Sequence, residues 1–179
     1  MKYSGILAIL LVGCMLLVGC NNSEPADNTQ SQNPIDQATE ETQPQEVTYT
    51  RKGVRFTFPA NFSDYSDFAF GQQYDFLYAD AYIGVLGIED VKADLSEEIT
   101  SLEVYAANQA SAFGTQAEQK DGIWTALYED LEQNEPQMMV CAFYETENSF
   151  WTIKSYCTSD VFTENQDAMW SYVTAATFE

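Results

Sequence analysis

The chain of 179 residues contains no histidine. That absence excludes Ser-His-Asp and Cys-His catalysis, imidazole general bases and nearly all zinc or iron sites that need a His ligand. Basic residues are almost as scarce: 7 Lys and Arg stand against 28 Asp and Glu, a net charge of −21. Nucleic acid is therefore excluded as a partner, because its recognition needs clustered Lys and Arg against phosphates, and anionic lipid headgroups are disfavoured on the same ground. Apolar residues still make up 45% and aromatics 14%, enough to bury a core and to exclude a wholly disordered chain. Once a leader and a tether are subtracted, the length leaves room for one ordinary domain.

Residues 1–19 have the layout of an export signal: a single Lys2, an apolar run from Ile6 to Val18, then small Gly19 before Cys20. Leu17-Val18-Gly19-Cys20 resembles the lipobox of the lipoprotein signal family, and the resemblance implies that the Cys20 thiol is lipidated before cleavage and becomes the first mature residue. Leu11-Val12-Gly13-Cys14 fits the same pattern, but cleavage there leaves the apolar stub Met15 to Val18 and too short an apolar run upstream. An uncleaved membrane span is the rival reading. It is weakened because a span takes about 20 apolar residues and this run has Gly5, Gly13 and Gly19 in or beside it. The expected location is the cell membrane, held by the N-terminal lipid on its extracytoplasmic side.

Residues 20–46 read as a disordered polar tether. One large aliphatic residue, Ile35, and no aromatic residue stand among Pro25, Pro34 and Pro44, so the segment cannot bury enough apolar surface to order itself. As flexible coil it spans an r.m.s. distance of roughly 25–30 Å.

Residues 47–179 read as a single α+β domain. It carries 22 acidic against 6 basic residues, about −16. Val47 to Thr50, a turn at Lys52-Gly53, and Val54 to Phe58 alternate as a hairpin ended by Pro59. A loop from Ala60 to Asp67 precedes two β-rich runs, Tyr74 to Ala79 and Ala81 to Glu89, joined by a turn at Asp80; Gly84 and Gly87 there leave room for a close neighbour. Thr100 to Glu103 has capping-box spacing, and Leu102, Ala106, Gln109 and Phe113 predict the inward face of a helix from Ser101 to Phe113, stopped by Gly114. Gly122 to Glu129, Gln137 to Glu145 and Phe150 to Cys157 predict an antiparallel meander. A last helix, capped by Ser159 or Asp160, turns Phe162, Met169, Tyr172 and Val173 inward, and Ala176 to Glu179 return as a short strand.

The later strands are apolar on both faces, with Trp124, Ala126 and Tyr128 on one and Ile123 and Leu127 on the other, so each face needs a cover and a helix on each side supplies it. This order of elements, the opening Gly53-Val54-Arg55-Phe56-Thr57-Phe58-Pro59, and the C-terminal helix running into Thr177-Phe178 resemble the PsbP, Ran-binding Mog-type and LpqN-type α/β/α sandwich superfamily. The resemblance spans Val47 to Glu179 and implies a non-catalytic accessory role beside a larger partner. It carries no site residues onto this chain, since the members share topology without a common site.

Among candidate sites, Cys141 and Cys157 are the cysteines left after cleavage. With the hairpin turning about Glu147-Asn148, Cys141 faces Lys154 and Cys157 faces Met138, which puts the thiols on opposite sheet faces. Separate buried thiols, a disulfide and a nucleophile are the three readings, the last lacking a histidine to activate it. Two acidic groups, Glu89, Asp90, Asp94, Glu97 and Glu98, then Glu129, Asp130, Glu132 and Glu135, offer oxygen ligands for Ca²⁺ but lack an EF-hand pattern, and read as solvated faces. Paired carboxylates for glycoside hydrolysis, and Trp124, Trp151 and Trp170 as a sugar platform, are weighed against ordinary surface and core roles. The resulting expectation is a non-enzymatic module with no catalytic residues, metal or cofactor. Its sheet edge, or the loops from Asn61 to Gln73, would contact another envelope protein. The alternative is a lipoprotein that binds a small ligand, a carbohydrate or Ca²⁺.

Overall fold

The computed structural model describes residues 45–68, 74–131 and 134–179; the expected signal peptide, Cys20 and all but the end of the expected tether lie outside them. The first hairpin runs from β1 (Glu46–Arg51) to β2 (Val54–Pro59). Lys52 and Gly53, with φ of 50° and 76°, are the left-handed pair of a two-residue turn whose twist matches its strands. Val54, Phe56 and Phe58 alternate into the core while Arg55 and Thr57 face out. The segment expected as loop holds a two-residue strand, β3 (Ser63–Asp64), and a 3₁₀ turn at Ser66–Phe68. Next, β4 (Phe76–Ala79) pairs antiparallel with β5 (Gly84–Val91) across a turn closed by Asp80, whose Oδ1 accepts the Tyr82 and Ile83 N–H at 2.7 Å each.

Ser101 caps helix α1 (Leu102–Ala112): its Oγ accepts the Val104 N–H at 3.3 Å. The expected box between Thr100 and Glu103 does not form, because the cap falls one residue later and Val104 then occupies the position that a reciprocating Glu would need. Gly114, at φ 74°, follows the last turn. The buried face is also rotated from expectation. Tyr105, Ala106 and Ala110 are buried, Leu102 and Phe113 pack at the margin, and Gln109 is half-exposed; two alanines a turn apart let the helix approach the sheet closely.

The chain returns through β6 (Glu118–Lys120) and β7 (Ile123–Asp130), joined by Asp121 and Gly122 at φ 50° and 85°. The meander closes with β8 (Gln137–Glu145) and β9 (Ser149–Thr158). A 3₁₀ turn at Ser159–Val161 leads into helix α2 (Phe162–Thr174). Neither Ser159 nor Asp160 caps that helix, since the extra turn displaces them and Val161 stands at the cap. Met169 and Val173 are buried, with Phe162 and Tyr172 packed beside them, and β10 (Thr177–Phe178) ends the chain against β2.

The strands form a seven-stranded antiparallel sheet in the order β3-β4-β5-β9-β8-β7-β6 and a separate three-stranded sheet, β1-β2-β10. Alternate residues of the central strands divide between two cores: Val140, Ala142, Trp151 and Ile153 join the small sheet and α2, while Cys141, Phe143 and Phe150 join α1. This is an α+β fold with a helix on each face. The α2 face needs more than a helix because the small sheet contributes Val54, Phe56 and Phe58 to the same core. On the opposite face α1 packs chiefly on β7 and β8, and its flank beside β5 opens as a cleft.

Candidate functional site

Every cation among the described residues is engaged. Arg51 donates to Asp67 at 2.9 Å and lies 3.6 Å from Asp64; Lys52 meets Asp75 at 2.5 Å and Glu89 at 3.6 Å; Arg55 pairs with Glu179. These three ties hold the small sheet to the acidic edge of the large one and to the C-terminus. The hydrogen bonds that Arg51 and Lys52 donate to Asp67 and Asp75 hold their pKa values above the ordinary range. Lys92 reaches Glu145 at 2.8 Å and the Thr146 carbonyl at 2.7 Å. Lys120 and Lys154 instead sit on rings, at 4.1 Å from the Trp170 centroid and 3.9 Å from that of Phe113.

An open cleft of about 510 Å³ runs between α1 and β5. Gln109 and Phe113, one helical turn apart, form one wall, and Tyr74 and Asp75 form the other. The floor is Ile88, Glu89 and Asp90 of β5 with Lys154 of β9. At one end Asp90 Oδ2 accepts the Tyr105 O–H at 2.6 Å and lies 3.5 Å from Gln109 Nε2; the buried Tyr105 hydroxyl also meets Thr152 Oγ1 at 2.8 Å. Burial first, and the bond to Asp90 second, push the Tyr105 pKa well above the ordinary tyrosine range. At the other end Lys154 Nζ donates to the Tyr128 hydroxyl at 3.4 Å and faces Phe113. Its burial lowers its pKa, an effect partly opposed by Cys141 and Asp130 nearby.

Of the acidic residues singled out from the sequence, the fold brings only Glu89 and Asp90 into this cleft. Asp94 lies in a 3₁₀ turn at Lys92–Asp94, and Glu97 and Glu98 precede α1. Glu129 accepts from Ser159 Oγ at 3.0 Å, and Glu132 is outside the described residues. Among the described residues no three carboxylates or thiols converge on a metal-sized site.

Cys141 and Cys157 are both buried and free, so the disulfide weighed from the sequence is not formed. The register sets Cys141 opposite Lys154 and Met138 opposite Cys157, as the hairpin reading expects, and the two thiols fall in different cores. Burial pushes the Cys141 thiol up to about 12, far from a neutral-pH nucleophile. The tryptophans do not form one platform: Trp151 is buried under α2, Trp124 packs beside the α1 core, and Trp170 lies on α2 under Lys120.

Sequence reasoning missed Asp75, Tyr105 and Lys154. A lone Lys within the apolar run Phe150 to Cys157 was the one local signal, since a charge there needs a reason to be buried.

No family model and no curated protein matches the chain. Among solved structures, the solution structure of cyanobacterial PsbP (CyanoP) from Synechocystis sp. PCC 6803 is similar with a TM-score of 0.56 at 9% identity, over 82% of this chain and 100% of that one. A crystal structure from Bacteroides thetaiotaomicron VPI-5482 gives a TM-score of 0.46 at 8% identity, over 71% of this chain and 45% of that one. The antiparallel seven-stranded sheet, the small second sheet and the two helices thus make a PsbP-like fold.

Proposed function

We propose that this chain is a membrane-tethered, extracytoplasmic module without catalytic activity, which binds a basic surface of another envelope protein. One observation carries the reading. All six cations of the domain are engaged internally, four with carboxylates and two on rings, while about 16 negative charges remain in excess. Such a surface repels nucleic acid and anionic lipid and attracts basic protein. The PsbP-like fold is consistent with a non-catalytic binding role. The N-terminal lipid on Cys20 would keep the domain at the membrane, with the tether supplying reach.

The test is cross-linking of the tagged, full chain in intact cells, followed by detergent extraction and mass spectrometry. A single enriched envelope protein, whose association with the purified chain weakens as salt is raised, supports the proposal. Abundant, lipidated chain with no enriched partner, or a partner held independently of salt, overturns it.

A further inference from the structure

We infer that β1 is the contact surface for a second copy of this chain, the two β1 strands pairing antiparallel about a two-fold axis at Tyr49 so that the two small sheets join into one. The inference does not depend on the protein partner proposed above.

It starts from which sheet edges are open. Among the described residues the outermost strands are β3, β6 and β10, of two, three and two residues, and β1, of six. Very short edge strands offer little to a visiting strand, and a Lys, a Pro or a bulge discourages one on a longer edge. Between Glu46 and Arg51 the run Val47-Thr48-Tyr49-Thr50 has none of these, and its residue types favour strands. The hairpin fixes which backbone groups are free. Arg51 and Val54 close its two-residue turn as a hydrogen-bonded pair, so Tyr49 and Val47 also bond β2, while Thr48 and Thr50 turn their N–H and C=O outward. Two contacts show the same phase: the Oγ1 atoms of Thr48 and Thr57 lie 3.2 Å apart, as in the closer, non-bonded kind of pair, and the Ala60 N–H donates to the Gln45 carbonyl at 2.8 Å. Among the described residues no strand or loop backbone meets the outward groups, and Thr48 and Thr50 are exposed.

Hydrogen-bond phase and charge set what fits this edge. Two antiparallel copies bond only where outward residues meet outward residues, which leaves few registers. With Tyr49 opposite Tyr49, Thr48 of each copy faces Thr50 of the other, for about four backbone hydrogen bonds, and Glu46 comes to the Lys52 end of the other hairpin. Shifted so that Thr48 meets Thr48, Glu46 faces Thr50 and that charge match is lost. The same face is where an acidic domain repels its copy least. Three of the six domain cations, Arg51, Lys52 and Arg55, lie on the β1–β2 hairpin and hold Asp64, Asp67, Asp75 and Glu179, so the acid there is already matched. For a basic segment those cations are a deterrent, and the edge therefore suits a second copy better. Edge pairing alone is a small contact, so the association is weak and is best read by trapping it.

Oxidative cross-linking of the full chain in detergent tests this, with Thr48→Cys and Thr50→Cys made in separate chains and the bridged peptides read by mass spectrometry. A disulfide needs Cα atoms about 4.4–6.8 Å apart; facing residues of a bonded pair, at about 5.5 Å, meet that, whereas the two copies of Thr48 stand roughly 8–9 Å apart in this register. A mixture of the two variants is expected to join the new thiols at least about tenfold faster than either variant alone joins its own. Adding Thr48→Pro to the Thr50→Cys chain should abolish that bridge and leave the urea midpoint close to native, because the lost N–H lies outside the β1–β2 ladder. No bridge in the mixture, equally fast bridging in either variant alone, or a bridge that survives the proline in a folded chain overturns the inference. Should the proline variant fail to fold, the comparison of mixed and separate cysteine chains decides alone.

Discussion

A methyl group added at Gly87 should cost far more than one added at Gly84, although both glycines lie on β5 and both sit directly under an aromatic ring. Neither has left-handed backbone, so alanine is conformationally allowed at each and the difference is steric. At Gly87 a Cβ would overlap the ring of its cross-strand partner Phe76. That ring is fully buried, with Phe56, Tyr78 and Trp151 centred 5.0, 5.6 and 6.1 Å away, and it has nowhere to move. Overpacking of this kind costs typically 1–3 kcal/mol, and the closed surroundings put Gly87→Ala at about 3 kcal/mol, a large share of an ordinary domain's stability. At Gly84 the overlap is with Tyr156, a half-buried ring on the cleft side that can swing toward solvent. Removing a glycine also restricts the unfolded chain, worth about 0.4–1 kcal/mol, so Gly84→Ala should cost about 1 kcal/mol or less. Urea unfolding followed by tryptophan fluorescence measures both, with unchanged slopes showing that only stability moved. Phe76→Leu combined with Gly87→Ala should be less destabilising than the sum of the single changes by at least about 1 kcal/mol. Equal costs at the two glycines, or strict additivity of the pair, would refute the reasoning.

Tyr105→Phe removes the hydroxyl that bonds Asp90 and Thr152, and should destabilise by about 1.5–3 kcal/mol in the same assay; a change below about 0.5 kcal/mol would show the network to be idle. Both thiols should resist alkylation in the native chain and react fully once it is denatured, whether or not reductant is present; a reductant-dependent count in the peptides carrying Cys141 and Cys157 would mean a bridge. Because burial lowers the Lys154 pKa, the unfolded chain holds more protons between that lowered value and 10.5, so this residue makes stability rise with pH across that window. Lys52 is raised, so its contribution is complete below 10.5 and is lost as pH climbs through its raised value. Stability measured from neutral to alkaline pH should therefore rise less steeply in Lys154→Met than in the native chain, and parallel curves would contradict the burial of that charge. Replacing Cys20 with Ala should abolish lipidation and release the chain from the membrane fraction; an unchanged mature mass would sink the assignment.

Much of this architecture was legible from local pattern. Alternation of Val54, Phe56 and Phe58, the Lys52-Gly53 turn, and the strand runs before and after Glu147-Asn148 each state their structure within a few residues, because a period of two and a left-handed turn are short-range facts. The register was also legible, since a hairpin fixes it once the turn is placed, and with it the separation of Cys141 from Cys157. Three things were not. The polar strand β6 carries no alternation to read. The cap of α1 and its buried face depend on which turn meets the sheet, a choice made by how closely Ala106 and Ala110 let the helix approach. The cleft needed both helix placement and strand order, because Asp75, Asp90, Gln109 and Lys154 come from four separated segments.

The sequence by itself determined the charge, the absence of imidazole chemistry and the class of fold, all of which depend on composition or on neighbours along the chain. Only the tertiary structure decided that the first hairpin and the last strand leave the main sheet to form their own, and that every cation among the described residues is engaged. Those outcomes rest on pairings between residues far apart in sequence, where no local periodicity distinguishes one partner from another.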